Sequence, residues 1–189
     1  MKIVSLLTIL FSFTILNAQI NTNISDTIFE QHLIDLGYDN VIDGIVLTSS
    51  ISSVDSLTLI GYSGFKIDNL IGIEDFSSLQ YLNCSNNNIS SLDLNNNMSI
   101  KYLDCSSNSL QELLIDSLIA LYTLKCSYNN LSTLNTSGNL SLTLLECINN
   151  KISALDLKFN KFLGTIRCGH NNLMTLDLSD MDLNILQCE

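Results

Sequence analysis

Leu79 to Ile115 reads LQYLNCSNNNISSLDLNNNMSIKYLDCSSNSLQELLI, and the fold turns on this stretch. The pattern apolar-x-x-Leu-x-Cys-x-x-Asn-x-apolar begins at Leu79 and begins again 21 residues later at Ile100. Carried along the chain, the same register places Cys84, Cys105, Cys126, Cys147, Cys168 and Cys188 in one column, with spacings of 21, 21, 21, 21 and 20. An apolar residue stands five places before each cysteine, at Leu79, Ile100, Leu121, Leu142, Leu163 and Leu183. Another stands two places before, at Leu82, Leu103, Leu124, Leu145, Ile166 and Leu186. Three places after the cysteine comes Asn87, Asn108, Asn129, Asn150 or Asn171. Apolar columns follow at Ile89, Leu92 and Leu94 and their equivalents, with Thr136 the polar exception. A weaker column of Asn97, Asn139 and Asn160 is interrupted by Leu118 and Met181. Self-similarity at such a period means stacked repeats.

Alternation at Leu82-x-Cys84 and Leu92-x-Leu94 has period two, which is the mark of a strand. Each coil should therefore supply two short strands, and stacking should build two parallel sheets with strands roughly 4.8 Å apart. One coil cannot bury its own apolar face, so about three or more are needed. Five complete units and a partial sixth cover residues 79–189, and a divergent first repeat covers 57–78, with Leu57, Leu59, Ile67, Leu70, Ile73 and Phe76 facing inward. An asparagine amide has donors and acceptors, so the asparagine column is expected to stack from coil to coil and satisfy backbone groups at a sharp turn. Residues 19–56 read as an N-terminal cap. Ile28, Phe29, Leu33, Ile34 and Leu36 recur at helical spacing. Ser25 or Asp26 starts this helix, Glu30 sits in its first turn, and Gly37 stops it. No such cap follows Cys188 before Glu189, which points to a fragment or a truncated product.

These columns resemble the leucine-rich repeat, L-x-x-L-x-L-x-x-N/C-x-L. The segment from Ile67 to Glu74 resembles the sequence just after an internalin cap. The whole is similar to secreted, internalin-like leucine-rich-repeat proteins of Bacteroidetes bacteria. The resemblance implies a mainly β solenoid and a binding rather than catalytic role. Relatives of this kind often carry a C-terminal sorting domain, and none is visible in the sequence.

Lys2, the apolar run Ile3 to Leu16 and the small residue Ala18 form a signal peptide over residues 1–18, cleaved near Ala18. Gln19, not a cysteine, follows the cut, as expected of a soluble product. No later run reaches the roughly 18 apolar residues that span a bilayer. The expected location is therefore secreted or cell surface, without membrane insertion once the signal is removed. The net charge is −11, or −12 without Lys2, which disfavours nucleic acid and anionic lipid. Nine of the 19 acidic residues precede residue 80, where Lys66 is the one cation after the signal. Solubility accounts for this, and calcium binding is the other reading.

Six cysteines in an exported chain would ordinarily mean disulfides. Here they replace inward leucines, on strands whose Cβ atoms run parallel instead of converging to about 3.8 Å. The expectation is six buried thiols acting as small hydrophobes, with no zinc site, since a linear ladder makes no tetrahedron. His32 and His170 read as surface residues. No nucleophile set, paired carboxylates or phosphate loop appears, so neither enzyme activity nor a cofactor is expected. Asp26-Thr27-Ile28, Asp55-Ser56-Leu57 and Asp116-Ser117-Leu118 look like a short bacterial O-glycosylation acceptor, a triplet that chance also produces.

What remains is the outward face of the cysteine strands: Tyr81 and Asn83, Tyr102 and Asp104, Thr123 and Lys125, Leu144, Glu146 and Ile148, Thr165 and Arg167. Tyrosines are frequent binding anchors, and solenoids present such sheets to partners. The expected function is recognition or adhesion through a protein or glycan ligand. The alternative is a passive spacer within a larger secreted protein, with enzyme activity confined to a catalytic domain outside this sequence.

Overall fold

The computed structural model describes residues 19–179, 181 and 183–189. The proposed signal peptide lies outside the described residues. Leu79, Leu82, Cys84, Ile89 and Leu94 of one coil are fully buried, and so are Ile100, Leu103, Cys105, Leu110 and Ile115 of the next. Seven strands stack in chain order into one parallel sheet: Ser56–Thr58 (β3), Tyr81–Asn83 (β4), Tyr102–Asp104 (β6), Thr123–Lys125 (β8), Leu144–Glu146 (β9), Thr165–Arg167 (β10) and Ile185–Gln187 (β11). Equal column positions are register partners: Leu82 lies opposite Leu103, and Leu103 opposite Leu124. The fold is thus a parallel-strand solenoid of coils of about 21 residues, as the periodicity requires.

The second sheet is smaller than expected. Ser91–Asp93 (β5) pairs with Glu112–Leu114 (β7), and the sheet has these two strands. Leu134 and Leu155 of the following coils stay buried, yet their backbone is not in strands. There side-chain bonds link the coils instead: Asn135 Nδ2 donates to Asp116 Oδ1, and Thr136 Oγ1 donates to Asn160 Oδ1 at 2.9 Å. A Cβ on Gly138 would stand 2.0 Å from the Asp116 carbonyl oxygen, so only glycine permits this approach of neighbouring coils.

The N-terminal end contains Asn21–Asn23 (β1), Thr27–Asp35 (α1), Ile45–Leu47 (β2) and the short helix Thr48–Ile51 (α2). The antiparallel β1–β2 pair has no counterpart in the sequence reading. Asp26 is the N-cap of α1. Its Oδ1 accepts from Ile28 N and Phe29 N, while its Oδ2 accepts from Asp68 N and Asn69 N of the first coil. One carboxylate therefore starts the helix and docks it. Phe29 and Leu33 are fully buried, with the Phe29 ring 6.2 Å from that of Phe76. Glu30 does more than sit in the first turn. It is buried, and its Oε1 accepts from Asp43 N at 3.0 Å and Gly44 N at 2.7 Å, fixing the loop that leads into β2. Among the described residues, no helix is long and apolar enough to cross a membrane.

Candidate interaction face on the cysteine-strand sheet

Immediately after each cysteine strand the chain turns, and the turn has the same conformation in five coils. Asn86, Ser107, Tyr128, Asn149 and His170, two places after the cysteines, have φ between 55° and 61°. This left-handed backbone disfavours residues with a Cβ. It also swings the next residue, the column asparagine, back under the strand. Asn129 Nδ2 donates to the carbonyls of Cys105 at 3.0 Å and Cys126 at 3.1 Å, and its Oδ1 accepts from Leu110 N at 2.9 Å. Asn108, Asn150 and Asn171 repeat the pattern one coil earlier or later. Asn87 reaches the carbonyls of Leu59 and Cys84 and accepts from Ile67 N. The asparagines thus bond to backbone groups of their own coil and of the preceding one, at the sharp turn. A side-chain amide next to another amide would leave the strand-end carbonyls unpaired.

One residue past the strand ends, the thiols of Cys84, Cys105, Cys126 and Cys147 are fully buried, and all six cysteines are unpaired. Burial pushes the Cys84 thiol up to about 12, assisted by the Asp104 charge. It pushes Cys147 to about 12 as well, assisted by Cys188. These thiols are protonated, small apolar fillers. Cys188 departs from the expectation that all six face the core. It is exposed.

Outward, the sheet carries two parallel rows. The first runs through Tyr81, Tyr102, Thr123, Leu144 and Thr165, register partners in sequence. The Tyr81 and Tyr102 rings are stacked, with centroids 4.5 Å apart and planes 8° apart. Burial, then the Asp104 charge and Tyr81, push the Tyr102 phenol up to about 12. Thr123 is a correction: expected to face water, it is buried, because Tyr102 and Leu144 are its partners on either side. Leu144 and Ile148 are half-buried.

The second row runs Asn83, Asp104, Lys125, Glu146 and Arg167, with charges that alternate from Asp104 onward. Lys125 Nζ lies 3.5 Å from Glu146 Oε2, and Arg167 Nη1 donates to Glu146 Oε1. Asn83 and Asp104 also have a local task. Their Oδ1 atoms accept from Ser85 N at 3.1 Å and Ser106 N at 3.0 Å, shaping the turn. Reading the outward strand columns alone missed two neighbours. Tyr122, just before β8, is 45% exposed, and Tyr128, at the left-handed turn after it, is 58% exposed. A bulky aromatic in a column otherwise filled by Asn, Ser and His was the available signal for Tyr128. His170 is exposed as expected, whereas His32 is half-buried on α1.

Solved structures similar to this one include the following three. The functional domain of the internalin InlJ from Listeria monocytogenes, which includes a cysteine ladder, is 26% identical with a TM-score of 0.59. That alignment covers 92% of this chain and 48% of the InlJ domain. The internalin InlF of the same species is 20% identical with a TM-score of 0.73, covering 84% of this chain and 48% of its own. A leucine-rich-repeat protein from Leptospira interrogans is 17% identical with a TM-score of 0.52, covering 75% of this chain and 45% of its own. This chain spans about half the length of each of these structures. Neither a protein-family model nor a curated protein matches the sequence. Coil length, parallel strands and neighbours agree: the chain has the leucine-rich-repeat solenoid fold in its internalin-like form.

Proposed function

We propose that this chain is an exported recognition module that binds a protein partner through the outward face of the cysteine-strand sheet. The observation that carries this reading is the pairing of an aromatic row with a charge-neutralised row on one rigid sheet. Tyr81 and Tyr102, with Tyr122 and Tyr128 beside them, supply rigid amphipathic anchors. In the second row Glu146 is already paired with Lys125 and Arg167, so covering this row leaves no isolated charge on Glu146. A mixed aromatic and charged face of this kind fits another protein surface. A glycan fits less well, since the Tyr81 and Tyr102 rings face each other and do not both offer a free face to a sugar. The reading also takes residues 1–18 as a signal peptide and places the mature product at the cell surface or in the medium. The spacer reading remains the alternative.

The test uses residues 19–189 immobilised against arrays of extracellular proteins and of glycans. Tyr102→Ala combined with Arg167→Glu is expected to weaken protein ligands at least tenfold, while Ser99→Glu, on the turn leading into the strand, leaves them unchanged. Glycan ligands alone, or ligands indifferent to the double variant, would refute the proposal. An absence of any ligand dependent on this face would favour the spacer.

A further inference from the structure

The charges of the second outward row are not shared evenly. Lys125 of β8 lies in register between two carboxylates, Asp104 of β6 and Glu146 of β9. Its Nζ goes to Glu146, 3.5 Å from Oε2, and Arg167 Nη1 donates to the other oxygen of the same carboxylate. Both cations of the row therefore lean on Glu146, and neither pairs with Asp104. The Asp104 carboxylate is fixed all the same. Its Oδ1 accepts from Ser106 N at 3.0 Å and from Ser106 Oγ, so the turn engages one oxygen and does not use Oδ2. After burial, the Asp104 charge is the next cause that raises the Tyr102 phenol and the Cys84 thiol, so its field is felt by the side chains around it. Tyr102, two residues earlier on the same strand face, and Tyr81 stacked against it stand as an aromatic wall beside this carboxylate. On the β4 side its register partner is the uncharged Asn83. The wider charge has the same sign. Residues 19–104 contain eleven acids against Lys66 and Lys101, so this end of the molecule attracts cations over a distance. A partner that covered Asp104 without bringing a cation would strip water from a charge and return nothing to it.

We propose that the protein partner of this face places an arginine side chain on Asp104. The inference rests on the reading of the sheet as a protein-binding face, and it names what the partner must present there. The guanidinium donates to Asp104 Oδ2, while the apolar stem of the arginine lies along the Tyr102 and Tyr81 rings. A guanidinium suits the place better than an ammonium, because it is more weakly hydrated and its donors are splayed in a plane. Tyr102 keeps its proton up to alkaline pH, so its phenol oxygen is an uncharged second acceptor. Further along the row Glu146 already holds two cations, which directs the arginine to the Asp104 end.

The probes are two peptides, acetyl-Gly-Arg-Gly-amide and its citrulline counterpart, which keeps the shape of the side chain and removes its charge. Each is titrated into the isotope-labelled protein and followed by the amide signals in NMR spectra. The arginine peptide is expected to give saturable shifts at Tyr102, Asp104 and Ser106, and the citrulline peptide none. Asp104→Asn retains an acceptor for Ser106 N and should weaken the arginine peptide about fivefold, with the amide signals of β8 and β9 unmoved. An equal response to both peptides, an undiminished affinity in Asp104→Asn, or shifts centred on the acids of the cap would overturn the inference. The two readings fail separately. If ligands from the protein array need Tyr102 while the arginine peptide ignores Asp104, the arginine subsite falls and the binding face stands. If the arginine peptide seats on Asp104 while no array ligand depends on the sheet, the subsite stands and the protein-binding face falls.

Discussion

Tyr128 occupies a left-handed backbone, φ 57°, with its ring largely in water. For a residue with a Cβ this costs about 1–2 kcal/mol, so Tyr128→Gly is expected to stabilise the fold by about 1 kcal/mol in urea titration. If Tyr128 belongs to the binding face, the same variant binds its partner less well. A stabilised variant with unchanged affinity would remove Tyr128 from the face. Asn129 is the opposite case. Asn129→Leu leaves buried carbonyls of Cys105 and Cys126 and the Leu110 N–H without their partner. A loss of at least about 1–3 kcal/mol is expected, and an unmoved denaturation midpoint would contradict the bridging role. The thiols give a pH dependence. In Cys84 and Cys147 the folded-state value is raised from 9.0 to about 12, so the folded state keeps its proton where the unfolded state loses it. Stability from these groups is complete below pH 9 and falls as pH rises from 9 towards 12. Each such thiol takes about 1.4 kcal/mol per pH unit inside that window. Cys84→Ala should be less stable at neutral pH but lose stability less steeply at alkaline pH, as thermal melts across the range would record.

The cap and the coils are joined by a few bonds that belong to elements, not single sites. Asp26 serves α1 and the first coil at once, through four backbone N–H donors. Losing an N-cap alone costs about 0.5–2 kcal/mol, and the two bonds to Asp68 and Asn69 add to that. Asp26→Ala is therefore expected to expose α1 to hydrogen exchange before the sheet opens. Exchange of α1 in step with β4 would show that the helix is held by its apolar face alone. The turn at Gly138 is the corresponding test in the coils. Gly138→Ala forces a Cβ against the Asp116 carbonyl, and a shift of whole coils must relieve it. A variant as stable as the parent would mean that this turn moves freely.

Over the whole molecule, each coil is stabilised by the ones on either side. At one end β3 is preceded by a capped segment with Phe29, Leu33 and Ile51 fully buried. At the other, Ile185 and Leu186 of β11 are 46% and 50% exposed. Protection from hydrogen exchange should be greatest in β4, β6 and β8 and decline through β10 to β11. Uniform protection would count against sequential stacking.

The sequence by itself determined the coil length, the inward columns and the place of the first strand in each coil, just before its cysteine. These follow from the sorting of apolar and polar side chains, which each repeat states locally and every neighbour repeats. The tertiary structure alone decided what lies over a given residue in the adjacent coil. Thr123 occupies an outward column yet is covered by Tyr102 and Leu144, and Cys188 occupies an inward column yet is open. The same holds for hydrogen-bond partners. An asparagine column announces a buried amide, but only the turn's left-handed backbone settles which carbonyls it meets. The second sheet narrowed to two strands for a similar reason: alternation makes a segment extended, while pairing requires the next coil's backbone to arrive in register.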